Sequence, residues 1–448
     1  MPIAPIENPV VSPESSEHSG TSYVFPFILV TSLFFLWGLA NSLNGTLVKH
    51  FQTALTLGRF QAGLVDSAFY IGYFVMAIPA GLVLNKIGYK KGIIIGLLLY
   101  AVGAALFYPA AEVRVYGFFL AALFIIACGL AFLETAANPY VTVLGEPKGA
   151  VARINLAQSF NGVSTIIGPI VGSLLIFSST EYTNTMLEAM PFAEAEAIRV
   201  AEAHSVQMPY VFLGGLVLLV AVLFSLVKMP EISSGANGTM KGIFRHKHLI
   251  WGIIAQFFYV GAQTSIWAYI IDLKIFLSPT DDLWIVKTIY QLSEGMTPTQ
   301  IASYHASFGF ILFMTGRFVG TWLLTKFSAN KLLSAYAIAC LALLTFAYVN
   351  TGIAAVAALL ATYFFMSIMF PTIFSLSIKN LGNQVKLGSS LIIMAIVGGA
   401  LLPPLTGFVS QSGMQNALIV PWVGFLFILY FGWRGYRVAG GEKSEVGS

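Results

Sequence analysis

The sequence predicts an all-α membrane protein of twelve spanning helices in two pseudo-symmetric six-helix bundles, and three observations carry that expectation. Hydrophobic residues make up 57% of the 448 and charged residues 9%, whereas a soluble domain is roughly one quarter charged. Twelve stretches approach the roughly 20 mostly apolar residues that cross a bilayer as a helix. A polar and then basic segment at 229–248, PEISSGANGTMKGIFRHKH, divides those stretches six and six. Its Gly, Ser and basic residues read as a flexible linker.

Residues 1–22 are rich in Pro, Ser and Glu and read as a disordered tail. They lack the basic start and apolar core of a cleavable signal peptide, so targeting falls to the first span. The N-terminal bundle, 23–228, holds spans at 24–49, 60–84, 91–110, 116–142, 153–177 and 207–228. Span 4 is expected to end near Pro139, and span 5 carries Gly168, Pro169 and Gly172. The polar interruption at 178–206, with FAEAEAIRVAEAH, predicts a short surface helix before span 6. The C-terminal bundle, 249–436, holds spans at 249–271, 299–323, 332–349, 353–378, 387–411 and 415–436, with a second interruption at 272–298 and a tail at 437–448.

Lys and Arg orient the chain. With the N-terminus inside, sixteen fall in inside loops and tail and six outside, with Arg317 within a span. That excess predicts both termini in the cytoplasm. A net charge of +4, dispersed along the chain, gives no footprint for nucleic acid. Cys128 and Cys340 lie in apolar stretches and suggest neither a disulfide framework nor a metal site.

The halves echo each other. GLVLNKIGYKKG after span 2 has its counterpart in GTWLLTKFSANK after span 8, each a glycine, an apolar turn and basic residues. Spans 5 and 11 both carry Gly and Pro, the latter as Gly398, Gly399, Pro403, Pro404 and Gly407; such residues permit close packing and bending.

GLVLNKIGYKKG resembles the major facilitator signature G-x-x-x-D-K/R-x-G-R-K/R, with Asn85 in place of the acid and Tyr89 in place of an arginine. The stretches FQAGLVDSAFYIGYF, GLAFLETAANPYVTVLG, INLAQSFN, AQFFYVGAQT and MSIMFPTIFSLSIKNLG extend the likeness from about residue 24 to 436. The chain resembles the fucose–galactose–glucose proton symporter branch of that superfamily. The resemblance implies a major facilitator fold and a monosaccharide:proton symporter of the bacterial inner membrane, not an enzyme, with no cofactor and with sugar and proton as its partners. Two covalently linked bundles need no second copy to form a pathway. The resemblance would place a proton-coupling aspartate in span 1, where NSLNG has Gly45 instead. A sodium-coupled or uncoupled sugar transporter therefore stays open as an alternative. A sugar sensor or membrane enzyme finds no phosphate-binding loop, nucleophile motif, metal spacing or soluble domain in the sequence.

Glu134 is the focus of the candidate site. It follows the uncharged run FFLAALFIIAC, and an ionised group at that depth costs at least about 2.5–3.5 kcal/mol unless it faces water or a partner. It reads as a substrate or ion site, or alternatively as a glutamate locking two helices together. Asp66, the second intramembrane acid, is level with Gly45 if spans 1 and 2 form a hairpin. It could replace the missing carboxylate, pair with Lys49, or simply favour the start of its helix. Arg317, nine residues before Lys326, lies ~14 Å into the membrane, where it could meet Glu134 electrostatically or snorkel to headgroups.

Sugars need paired donors and acceptors beside flat apolar faces. Span 7 offers Gln256, Tyr259, Gln263 and Trp267 on one helical stripe. Span 1 adds Asn41 and Asn44, span 4 Asn138, span 5 Asn155, Gln158 and Asn161, and Phe370 an aromatic wall. The competing role for each amide is to join helices. Asn85, Lys86, Lys90 and Lys91, in the signature loop, are expected to take part in gating, as is Lys49.

Overall fold

The computed structural model describes residues 24–55, 59–175, 186–187, 189–229, 240–278 and 298–438. Each predicted span is helical there. Spans 1 to 6 are Val24–Ala54, Arg59–Ile87, Tyr89–Val113, Tyr116–Val143, Ala150–Leu175 and Gln207–Leu226. Spans 7 to 9 are Lys247–Leu277, Pro298–Leu323 and Ala329–Val349. Spans 10 to 12 are broken. Span 10 is Ile353–Met366 and Met369–Ser377; span 11 is Val385–Met394, the 3-10 turn Ala395–Val397 and Gly398–Ser410; span 12 is Ile419–Tyr430 with a terminal π turn, Phe431–Gly435. Ten helices among the described residues are long and apolar enough to cross a membrane, and Val24–Ala40 is a shorter apolar one. This is a multi-pass integral membrane protein.

The surface helix expected between spans 5 and 6 is Phe192–Ser205, pinned by Arg114 to Glu196 at 2.7 Å. Span 4 runs past its expected end: Pro139 sits inside the helix, although a proline there withholds the N–H that would reach the Thr135 carbonyl. Spans 2 and 3 are joined at Gly88, whose φ of 82° suits glycine; its N–H closes the end of span 2 on the Leu84 carbonyl at 2.9 Å. The linker ends in the 3-10 turn Ile243–Arg245. Residues 230–239 of the linker, and all of 1–22, lie outside the described residues.

The predicted symmetry is visible in which spans touch. In the first bundle span 1 packs on 5, 2 on 4, and 3 on both 4 and 6; in the second, 7 packs on 11, 8 on 10, and 9 on both 10 and 12. Adding six to each member of the first set yields the second. Contacts between bundles obey the same operation: span 2 meets 11 as span 8 meets 5, and span 5 meets 10 as span 11 meets 4. Several of these contacts lie toward the end of the molecule where the linker attaches, the linker side. A Cβ on Gly81 would lie 2.5 Å from the Ser390 hydroxyl, so span 2 approaches span 11 there as closely as it does only because residue 81 lacks a side chain.

Candidate functional site

The bundles enclose a cavity of about 130 Å³ between the spans. Its wall draws on both halves: Trp37, Phe69, Tyr70, Tyr73, Glu134, Gln158, Asn161 and Gly162 from the first, and Tyr259, Val260, Gln263, Thr264, Trp267, Phe313, Arg317, Phe370 and Ile396 from the second.

Glu134 reaches this wall from span 4 and is only 6% exposed. The Tyr73 hydroxyl donates to its Oε1 at 2.6 Å. Tyr73 is in turn held by Phe69, 5.4 Å away between ring centres. Sequence reasoning passed over this tyrosine, because an aromatic in an apolar span reads as packing. The available signal was spacing: Phe69 and Tyr73 fall three and seven residues after Asp66, on the same helical face.

Arg317 is fixed differently. Its Nε donates to the Ser367 carbonyl at 2.8 Å, and its Nη1 donates to the Gln158 carbonyl at 2.6 Å, across the bundle boundary. The guanidinium also lies 4.7 Å above the Phe313 ring. A buried cation is costly unless polar partners surround it. Here the break in span 10 supplies one: Ser367 lies at the interruption between the two helices. Tyr259 occupies the same break, donating to the Met366 carbonyl at 3.0 Å. Arg317 therefore does not snorkel to headgroups. It shares the cavity wall with Glu134 but makes no ion pair with it among the described residues.

The span 7 stripe is present, with one shift. Tyr259, Gln263 and Trp267 line the cavity, whereas Gln256 is fully buried one turn toward the linker side. Trp267 packs against Phe310, Phe313 and Tyr363, and its indole N–H has no protein partner, leaving a donor for a ligand. Phe370 forms part of the wall as expected. On span 5, Gln158 and Asn161 line the cavity, and the Asn161 amide also donates to the Phe34 carbonyl at 3.2 Å. Asn138 stands behind the wall, its Oδ1 accepting from Gln158 Nε2 at 3.2 Å. The side chains of Asn41, Asn44, Lys49 and Asp66 lie outside the described residues.

The loop after span 2 divides its roles. Lys90 donates to the carbonyls of Ser225 and Val227 at 2.9 and 2.8 Å, closing the end of span 6 within its own bundle. Lys86 and Lys91 are exposed and Asn85 is half-buried. The contact across the bundles is made by Tyr89, where the signature has arginine: Lys386 of span 11 lies 4.9 Å above its ring, and Tyr140 flanks it.

Residues 29–403 match the profile of the Major Facilitator Superfamily. The chain belongs to that superfamily. Among curated proteins it is 44% identical over 422 residues to an L-fucose-proton symporter of Escherichia coli (strain K12), covering 92% of this chain and 93% of the relative. It is 39% identical to a putative glucose/galactose transporter of Helicobacter pylori (strain ATCC 700392 / 26695), over 91% of this chain and 96% of that protein. Among solved structures, a point variant of the E. coli fucose:proton symporter superposes with a TM-score of 0.82 at 42% identity, covering 92% of this chain and 98% of that one. The proton:xylose symporter, at 15% identity and a TM-score of 0.64, shares the fold. The chain is thus a major facilitator permease rather than an enzyme.

Proposed function

We propose that this chain is a monosaccharide:proton symporter of the bacterial inner membrane, working by alternating access as a monomer with both termini and the linker in the cytoplasm. Its substrate belongs to the L-fucose, galactose and glucose class named for its relatives. The observation that carries the reading is the cavity shared by the two bundles, with one carboxylate and one guanidinium on a wall made mostly of amides and aromatic rings. Amides match the paired donor and acceptor character of sugar hydroxyls, and ring faces match the apolar C–H face of a pyranose. Sites in such folds lie at the interface between repeats.

Glu134 carries the proton. As a carboxylate it only accepts hydrogen bonds; protonated, it also donates one. The proton therefore changes the hydrogen bonds Glu134 can make to Tyr73 and to a sugar in the same cavity. Sugar and proton together must favour a conformation that neither favours alone. In proteoliposomes, an inward proton gradient should drive uphill accumulation of labelled L-fucose, D-galactose or D-glucose. Absence of counterflow for all three would exclude this substrate class.

Gly45 favours a second reading, sodium coupling or none, because the resemblance would place an aspartate there. Asp66 on the neighbouring span is the candidate replacement. Proton uptake on adding sugar, compared in the wild type and Asp66→Asn, separates the cases. A normal signal from folded, sugar-binding Asp66→Asn would leave the coupling to Glu134 alone. Loss of the signal would assign Asp66 to it.

A further inference from the structure

Beside the cavity and up to one helical turn toward the linker side, polar side chains are buried with hydrogen-bonding capacity left over. Asn138 is fully buried; its Oδ1 is taken by Gln158, and its Nδ2 has no partner. Thr135, the residue after Glu134 and three before Asn138, is fully buried, and its hydroxyl has no partner. Its backbone carbonyl also loses the N–H that Pro139 cannot supply. Asn155 lies three residues before Gln158, about 4.5 Å along the helix. Its Nδ2 donates to the Val151 carbonyl at 2.8 Å and, across the bundle boundary, to Thr372 Oγ1 at 3.4 Å. Its Oδ1 has no partner.

Buried polar groups with unmade hydrogen bonds are destabilising. Natural structures satisfy nearly all such groups, so a cluster of exceptions calls for a physical reason. The reason here is the second conformation. Asn155 is covered by Thr372 from the other bundle, and a rotation that parts spans 5 and 10 uncovers it. The unpaired set then comprises an amide N–H on Asn138, an amide oxygen on Asn155 and a hydroxyl on Thr135. A sugar hydroxyl both donates and accepts and complements each of them.

We propose that Thr135, Asn138 and Asn155 form a second hydroxyl-binding station for the sugar, used when the bundles part on the linker side and lying on the way out of the central cavity. Thr372 is its cover in the closed state. Unmet hydrogen bonds penalise closure on that side, and a hydroxylated solute meeting them stabilises opening, which biases release toward the linker side. The inference rests on the monosaccharide reading of the central site, and the test keeps the two apart.

The experiment measures half-saturation of labelled L-fucose or D-galactose exchange from each face, in right-side-out and inside-out vesicles holding the full-length protein. Asn155→Ala should raise the linker-side value five- to ten-fold and leave the other face within two-fold. Thr372→Val removes the same contact between bundles but keeps the amide, and should leave the linker-side value within two-fold. Gln263→Ala, in the central cavity, should raise both. Should Asn155→Ala fail to fold, Asn155→Ser retains a hydroxyl and should give a two- to three-fold linker-side shift. Equal shifts from Asn155→Ala and Thr372→Val would make the amide a contact between bundles and overturn the station. So would an equal change on both faces, or none. Exchange insensitive to Gln263→Ala would instead remove the central sugar site, a separate failure.

Discussion

The two charges in the cavity wall are held in opposite ways. Glu134, in the first bundle, has one side-chain partner among the described residues, Tyr73, whose O–H can turn away by rotation about its C–O bond. Arg317, in the second, donates to two backbone carbonyls on different spans and lies against a ring. Backbone carbonyls cannot rotate away without moving their helices. The comparison separates a charge free to come and go from a charge built into the contact between bundles. It also explains why no ion pair is needed between them: each is satisfied locally, and the cavity between them is left for a ligand.

The sharpest way to break this comparison is to remove the titrating group. Glu134→Gln retains the shape but can neither gain nor lose the proton. Gradient-driven accumulation should fall to the equilibrium ratio while sugar exchange persists. Uphill accumulation by this variant would take Glu134 out of the coupling.

Arg317→Met addresses the fixed charge. It leaves the Ser367 and Gln158 carbonyls without their charged donor, and hydrogen bonds to charged groups are worth roughly 1.5–3 kcal/mol each. The thermal midpoint in detergent should fall and the exchange rate should drop about ten-fold or more, with 1.4 kcal/mol corresponding to each factor of ten. Arg317→Lys should rescue little, since an ammonium cannot reproduce the planar fork. Full rescue by lysine would mean that charge alone matters and that the carbonyl contacts are incidental.

Much of this was legible in the sequence because the membrane imposes it. Long apolar stretches must be helices, and a charge within one needs a reason, so the twelve spans, Glu134 and Arg317 all stood out. The surface helix around FAEAEAIRVAEAH was equally plain. Partner identity was not legible. Arg317 was read against Glu134 on depth alone, yet its partners are carbonyls, which no residue type advertises. Tyr73 was hidden by being aromatic in an apolar helix. The break in span 10 had a signal in Pro371, which has no N–H for the Ser367 carbonyl, but its occupants, Tyr259 and Arg317 from other helices, were not legible. The break in span 11 precedes Gly398, where a Cβ would come within 2.1 Å of the Phe257 carbonyl oxygen, a tertiary contact. Amides on span 5 and span 4 looked equivalent in sequence, but one turn of helix decides that Gln158 lines the cavity while Asn138 backs it.

A smaller effect is expected from the span 7 wall. Gln263→Ala or Trp267→Ala should weaken sugar binding several-fold to a hundred-fold, from a lost buried hydrogen bond of roughly 1–3 kcal/mol. For Gln263→Ala the thermal midpoint of the sugar-free protein should change little, because Gln263 lines the cavity and is only half-buried, whereas Trp267→Ala also removes packing against three rings and should lower it. Unchanged affinity, measured by isothermal titration on folded protein, would turn this stripe from a binding surface into packing.

The smallest effect concerns the linker-side contact between the bundles, where Tyr89 replaces the arginine of the family signature. Lys386 lies 4.9 Å above the Tyr89 ring and both residues are buried; a cation over an aromatic face is worth about 0.5–1 kcal/mol at an exposed site and about 2 when desolvated. Tyr89→Leu should therefore raise the population open on that side by at most about thirty-fold, at 1.4 kcal/mol per factor of ten. Tyr89→Phe keeps the ring and should leave it unchanged. Lys386→Met should match Tyr89→Leu, and the double variant should add nothing further, since both remove one interaction. The readout is alkylation of a cysteine introduced as Ser390→Cys, which Gly81 covers while the bundles meet; the native Cys128 and Cys340 are buried. Equal alkylation rates in Tyr89→Leu and the parent would mean that the ring contributes nothing to closure, and that close packing at Gly81 holds the linker side shut by itself.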